Sequence, residues 1–234
     1  MTPRTDPVGT EILKRDSFGR VEAENRDGRR IVRRIPCGGA IPGSGLLGRY
    51  LARRERRALE RLEGLDGVPR LVATAEETFA REFLEGERLD RIGRPHDEFF
   101  PLLVELLGRV HDRGVAHNDL AKAANILVRP DGRPALIDFQ LAVIRPKRGR
   151  IRGKIFATMR GDDLRHVLKH KRRRRPDLVT AEDRRILENP SPPARWWAAI
   201  GKPVYNFVTR RILGVADHEG LGLPGRKRGG AGGT

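Results

Sequence analysis

Within the 22 residues from 117 to 138 the chain carries a histidine, His117, two carboxylates, Asp119 and Asp138, and an amide, Asn125. A carboxylate can orient a hydroxyl and take its proton. An amide oxygen and a second carboxylate can hold a divalent cation against phosphates. Phosphoryl transfer from ATP with Mg²⁺ uses that set. Asp119 is then the candidate base, and Asn125 and Asp138 the candidate metal ligands. The residues around them support this reading. Asn125-Ile126-Leu127-Val128 and Ala135-Leu136-Ile137 are short apolar runs separated by an Asp131-Gly132 turn. Both carboxylates therefore stand at strand ends, beside irregular backbone that a ligand can reach. The plain alternative is a β-hairpin with aspartates in its loops.

His117-Asn118-Asp119-Leu120 with Asn125, followed by Asp138-Phe139-Gln140, resembles the H-R-D-L-x-x-x-N and D-F-G motifs of the protein-kinase superfamily. It departs from them twice. Asn125 lies six positions after Asp119, one more than the pattern has, and Gln140 stands where glycine would give backbone freedom. With Ala121-Lys122 and D-F-Q, the stretch is more similar to a bacterial kinase-like group near the lipopolysaccharide-core (Kdo/heptose-type) sugar kinases and the RIO-like Ser/Thr kinases. The resemblance spans residues 10–170 and is strongest over 105–142. It implies an α+β, small two-lobed kinase-like fold: an antiparallel N-lobe sheet carrying one helix, and a reduced, mainly helical C-lobe. The boundaries expected are 1–9 disordered, 10–85 N-lobe, 86–215 C-lobe and 216–234 a flexible tail.

Several elements must position these groups. Residues 11–14 and 19–24 read as strands around a turn, Asp16-Ser17-Phe18-Gly19, which resembles the second half of a kinase glycine-rich loop. Gly19 would allow close approach to phosphate, while Lys14 and Asp16 occupy the places of the first glycines. In the strand over 30–35 the phosphate cation would be Arg33 by pattern or Arg34 by strand parity. A Gly/Pro loop follows, then a helix over 46–62 with Leu47, Leu51, Ala58, Leu59 and Leu62 at helical spacing. Glu55 on that helix is the expected partner of the strand cation, with Glu60 the alternative. Residues 79–89 resemble the strand and hinge of a kinase, so the Glu82 carbonyl and the Leu84 N–H would meet the adenine edge of ATP. An amphipathic helix over 99–113 leads to the catalytic loop, where His111 and His117 read as packed anchors. Asn118 replaces the arginine that receives a phosphorylated loop and no A-P-E follows, so control by loop phosphorylation is not expected.

Beyond Gln140 the resemblance thins. Residues 151–159 are mixed in pattern, and 161–169 read as a helix opened by an aspartate cap. A basic run over 169–175 and the pair Trp196-Trp197 suit either a solvated face and a packed helix, or an anionic membrane interface.

Composition sets the outer bounds. The 234 residues are 38% hydrophobic and 34% charged, which suits a globular domain with one sizeable core. A single cysteine, Cys37, excludes an internal disulfide and points to a reducing, cytoplasmic setting. The N-terminal residues lack an apolar core, so no secretory signal is expected. Lys and Arg number 48 against 31 Asp and Glu, a net charge of +17 that favours anionic partners. Nucleic acid is the weaker candidate, because aromatic residues are only 5% and no reader motif is present. The function expected is ATP-dependent phosphorylation of a hydroxyl, on protein Ser/Thr or on a glycolipid sugar, peripheral to the inner membrane face in the latter case. The alternative is a nucleotide-binding pseudokinase that acts as a scaffold.

Overall fold

Strands rich in β-branched and charged residues build the first layer. β1 (Glu11–Asp16), β2 (Gly19–Arg26) and β3 (Arg29–Pro36) form consecutive antiparallel hairpins. β4 (Leu71–Thr74) and β5 (Phe79–Glu82) complete a five-stranded sheet of order β1-β2-β3-β5-β4. The computed structural model describes residues 10–16, 19–26, 28–36, 44–74, 79–145 and 150–188, all within the unit Met1–Ser191. The expectations for residues 1–9, Ser17 and Phe18, the Gly/Pro loop at 37–43, Trp196, Trp197 and the tail lie outside the described residues.

Helix α1 (Ser44–Arg61) follows the expected span. Among its buried positions, Ala52, Glu55, Ala58 and Leu59 recur at helical spacing and form one face. Three of these are apolar and one is a carboxylate, which therefore has to find a cation. The opposite face carries Arg53 and Arg57 with exposed Leu46 and Tyr50.

The second layer is built on helix α2 (Phe99–Asp112), which buries Phe99, Phe100, Leu103, Leu106, Leu107 and Val110. Phe99 and Phe100 meet edge to face, with ring centroids 5.4 Å apart. Full burial of each such side chain is worth about 1.5–3 kcal/mol, so α2 is the anchor of this half. Around it lie short antiparallel pairings. β6 (Glu87–Arg88), β8 (Ile126–Val128) and β9 (Pro134–Leu136) make one small sheet, and β7 (Val115–Ala116) pairs with β10 (Val143–Ile144). Gly86 is required where the chain enters β6, because a Cβ there would meet the Val128 carbonyl oxygen at 2.9 Å.

Helix α3 corrects the sequence reading. It is one helix, Arg150–Arg174, running through the stretch expected to be mixed and through Gly161. An interior glycine costs about 1 kcal/mol, but buried Phe156, Val167 and Leu168 hold the helix in place. No cap forms at Asp162-Asp163. Instead Asp163 is buried mid-helix, at 1% exposure.

The basic run is also partly internal. Lys171 pairs with Asp183 at 2.7 Å, Arg174 donates to the Leu89 and Ile92 carbonyls, and Arg175 pairs with Asp177 at 2.8 Å and Asp97 at 2.6 Å. Only Lys169, Arg172 and Arg173 of that run are exposed. Helix α4 (Ala181–Glu188) closes the described chain, capped by reciprocal bonds between Thr180 and Asp183.

His166 and His170 on α3 give the fold a pH dependence. Burial, reinforced by neighbouring cations, holds both imidazoles below the ordinary histidine range. The unfolded chain therefore binds more protons below about pH 6.5. Their contribution is full above that pH and is lost as pH falls through the folded-state values. The urea midpoint should accordingly be level at neutral pH and fall on acidification. His170→Gln should flatten part of that slope in the same titration.

Candidate active site

The loop that follows β7 is held from below by α3. The Asp163 carboxylate accepts the backbone N–H of His117 at 2.7 Å and of Asn118 at 2.8 Å, and lies 3.2 Å from His111 Nε2. Asn118 is left-handed, with φ 59°. Such a conformation in a non-glycine residue persists only where its surroundings enforce it, and Asp163 supplies that enforcement. His117 is fully buried. Its Nε2–H donates to the Ile137 carbonyl at 3.0 Å and its ring lies 4.5 Å from that of Phe139, so it joins the loop to the segment carrying Asp138. His170 adds a further tie, from Nε2 to the Leu120 carbonyl at 2.9 Å.

The extra residue between Asp119 and Asn125 is taken up by a 3-10 turn, Ala123–Asn125. Asn125 still reaches Asp119, its Nδ2 donating at 3.0 Å both to Oδ2 and to the main-chain carbonyl. Asp119 itself is 9% exposed, and Lys122 Nζ lies 3.1 Å from its Oδ2. The Asn125 carbonyl accepts the Ile137 N–H at 3.0 Å, which places the amide residue next to Asp138. Asp138 is left-handed, with φ 67° and ψ 65°. Its Oδ1 is buried without a hydrogen-bond partner. Among the described residues Asn118 and Asp138 are the non-glycine residues at positive φ, so position 140 has no need of glycine.

The opposite wall comes from the sheet. Arg34 shares a strand face with buried Val32, and its Nη1 meets Glu55 Oε2 at 3.1 Å. The same Nη1 lies 3.9 Å from Asp138 Oδ1, and Nη2 donates to Gln140 Oε1 at 2.6 Å. Arg81 of β5 approaches Glu55 Oε1 at 3.3 Å. Burial pushes the Glu55 carboxyl above its ordinary range, and the Arg81 and Arg34 guanidiniums only partly oppose this. Arg33 is not in the site. Strand alternation turns it outward, where it is 47% exposed and pairs with Glu24. Glu60 is likewise on the surface, paired with Arg56.

The remaining expected positions are on strand ends. Gly19 opens β2 opposite Asp16 and Pro36. Glu82 ends β5, its N–H bonded to the Arg70 carbonyl, and Leu84 follows Phe83, whose N–H bonds the Arg30 carbonyl. The structure thus brings Asp119, Asn125, Asp138, Arg34 and Glu55 into one connected network.

A five-stranded sheet with a helix-borne carboxylate paired to a strand cation, facing a loop with Asp, Asn and a second Asp, is a protein-kinase-like fold. A crystal structure of the Rio2 kinase from Chaetomium thermophilum matches it with a TM-score of 0.56 and 19% sequence identity, over 83% of this chain and 66% of that one. The chain therefore spans slightly less than two thirds of that kinase. No family model matches the sequence.

Sequence reasoning missed several residues of the site. In the sequence Asp163 reads as part of a helix cap and Gln140 only as a missing glycine. Arg81 and Arg54, which donates to the Leu141 and Ala142 carbonyls, carry no local signal, and Lys122 enters only as part of a motif. Most of their partners lie far away in sequence; the Lys122–Asp119 pair at i,i+3 and the Gln140–Asp138 contact at i,i+2 are local.

Asp163→Asn tests the support beneath the loop. Asparagine has one acceptor oxygen for the two N–H groups, and leaving a buried N–H unpaired costs about 1–3 kcal/mol. The expected result is that loss in chemical denaturation, with faster amide exchange at residues 117 and 118.

Proposed function

We propose that the chain is an ATP- and Mg²⁺-dependent phosphotransferase that acts on a hydroxyl. The observation that carries this is the convergence of Arg34, paired to buried Glu55, on Asp138, which is joined through the loop to Asn125 and Asp119. In this reading Asp119 accepts the proton of the acceptor hydroxyl, and Arg34 binds the ATP phosphates with Glu55 fixing its position. Glu82 and Leu84 present backbone groups to adenine, and Gly19 lets the hairpin lie close to phosphate.

The residues fit Mg²⁺. Asp138 Oδ1 is a buried oxygen with no hydrogen-bond partner, and the Asn125 amide nitrogen is committed to Asp119, which leaves its oxygen for a cation. Among the described residues no group of three or more His, Cys, Asp or Glu is arranged for a metal. Mg²⁺ is commonly held by one or two protein groups plus substrate phosphates, so this sparse set suits it. Bound there, the ion would neutralise phosphate charge. Lys122, half exposed beside Asp119, can supply a further cation to the transferring group.

Two acceptors fit. Resemblance to the bacterial lipopolysaccharide-core kinase group supports a glycolipid sugar, and resemblance to RIO-like kinases supports a protein Ser/Thr hydroxyl. A cytoplasmic setting follows from the cysteine usage. The second reading, a nucleotide-binding pseudokinase, is favoured by the absent first glycines of the β1–β2 hairpin and by Arg34 in place of lysine.

Two similar substitutions separate these readings. Asp119→Asn should lower turnover about 100- to 10,000-fold and leave nucleotide affinity nearly unchanged. Asp138→Asn should weaken Mg²⁺–nucleotide binding and turnover together. Both are read by phosphate transfer from ATP to protein and to glycolipid acceptors, alongside nucleotide-induced melting shifts with Mg²⁺ or EDTA. Nucleotide binding without any transfer would favour the pseudokinase.

Membrane attachment is tested separately. No described helix is long and apolar enough to cross a membrane. The basic run over 169–175 with Trp196 and Trp197 is the proposed contact; of it, the described residues show Lys169, Arg172 and Arg173 exposed. Co-sedimentation with anionic vesicles that fades as salt rises is the expected result.

A further inference from the structure

Gln140 is the residue that the phosphotransfer scheme does not use, yet it touches two residues that the scheme needs. Its Oε1 accepts from Arg34 Nη2 at 2.6 Å, and its Nε2 lies 3.4 Å from Asp138 Oδ2. The second separation is a long hydrogen bond, consistent with orientation more than with strength. Arg34 is 11% exposed and Asp138 21% exposed, so these contacts are shielded from bulk water.

The geometry follows from the shape of a guanidinium. A lysine ammonium is a single point of charge, and one carboxylate can satisfy it. Arginine presents a rigid planar fork with donors on separate nitrogens. When Nη1 is taken by Glu55, Nη2 is left facing inward and needs an acceptor. A second carboxylate there would stand beside Asp138 and repel it. A neutral amide can accept from the fork and turn its own N–H group toward Asp138. Glycine at position 140 could do neither, and the backbone there does not require glycine because the positive φ falls on Asp138 itself.

We infer that Gln140 is a positioning residue matched to Arg34: the amide links the strand cation to Asp138 and fixes the direction in which the Asp138 carboxylate faces a metal–nucleotide ligand. Arginine on β3 and glutamine after Asp138-Phe139 are then one joint adaptation. Each is a poor replacement alone, and together they restore a single connected network. The metal part of this inference rests on the proposed phosphotransferase reading. The brace itself is a property of the protein without nucleotide.

The experiment uses the full chain as wild type, Gln140→Met, Arg34→Lys and the double variant. Methionine keeps the length and flexibility of the side chain and removes both amide groups. At fixed ATP, MgCl₂ is titrated and the melting temperature recorded. Amide exchange of Ala142, whose N–H bonds the Phe139 carbonyl at 3.0 Å, is followed in protein free of nucleotide. Gln140→Met should raise the Mg²⁺ midpoint about 10- to 100-fold, the usual effect of removing a group that orients a metal ligand. It should also speed exchange at Ala142. The double variant should lose no more than the worse single variant, because the two side chains act as one unit.

An unchanged Mg²⁺ midpoint in Gln140→Met overturns the inference, as does a double variant whose loss is the product of the two single losses. A wild type with no Mg²⁺-dependent melting shift overturns the phosphotransferase reading. In that case exchange at Ala142 decides the brace: faster exchange in Gln140→Met sustains it, and unchanged exchange ends it.

Discussion

A carboxylate set in the apolar face of a helix cannot remain charged alone. Glu55 is 1% exposed, among alanine and leucine positions of α1 that pack toward the sheet. Its burial would cost several kcal/mol without partners, and this demand organises the half of the molecule around it. Arg34 and Arg81 come from neighbouring strands and reach its two oxygens. Pairing of β3 with β5 is therefore reinforced from outside the backbone ladder, and the Arg34 side chain is fixed on the inner face. Since the guanidinium is a fork, its second nitrogen then recruits Gln140, and the network reaches Asp138.

The helical half has its own fixed point. Asp163 sits mid-helix in α3 and satisfies two successive backbone N–H groups of the loop that follows β7. Asn118 at this point is left-handed, a conformation a β-branched residue would strongly resist. Loop strain and buried carboxylate are thus complementary. His117 then carries the restraint onward through the Ile137 carbonyl to the segment that contains Asp138. Both halves converge on one left-handed aspartate, approached by Arg34 and Gln140 on one side and by the His117 anchor on the other.

Much of this was legible in the sequence where the signal is local. Helical spacing located α1 and α2 within a residue or two, and Asp131-Gly132 marked the turn between β8 and β9. Strand parity singled out Arg34 as the inward cation, whereas matching to a family pattern pointed to Arg33. Other features depend on distant partners and leave no local mark. Asp162-Asp163 looks like a cap because aspartate is a favoured residue at helix N-termini. The basic run at 169–175 looks solvated because Asp183, Asp177 and Asp97 lie elsewhere in the chain. Gln140 reads as a deficiency until Arg34 is placed beside it.

Arg54 projects from α1 and donates to the Leu141 and Ala142 carbonyls, immediately after Gln140. The helix that carries Glu55 is therefore fastened to the segment that carries Asp138 at a second point, through main-chain oxygens whose identity no substitution alters. Swinging this helix outward would break the Glu55 pairing and both of those bonds together. These contacts hold the helix and that segment together in the described arrangement. For a phosphotransferase, such ties raise the free-energy cost of moving this helix away from the site.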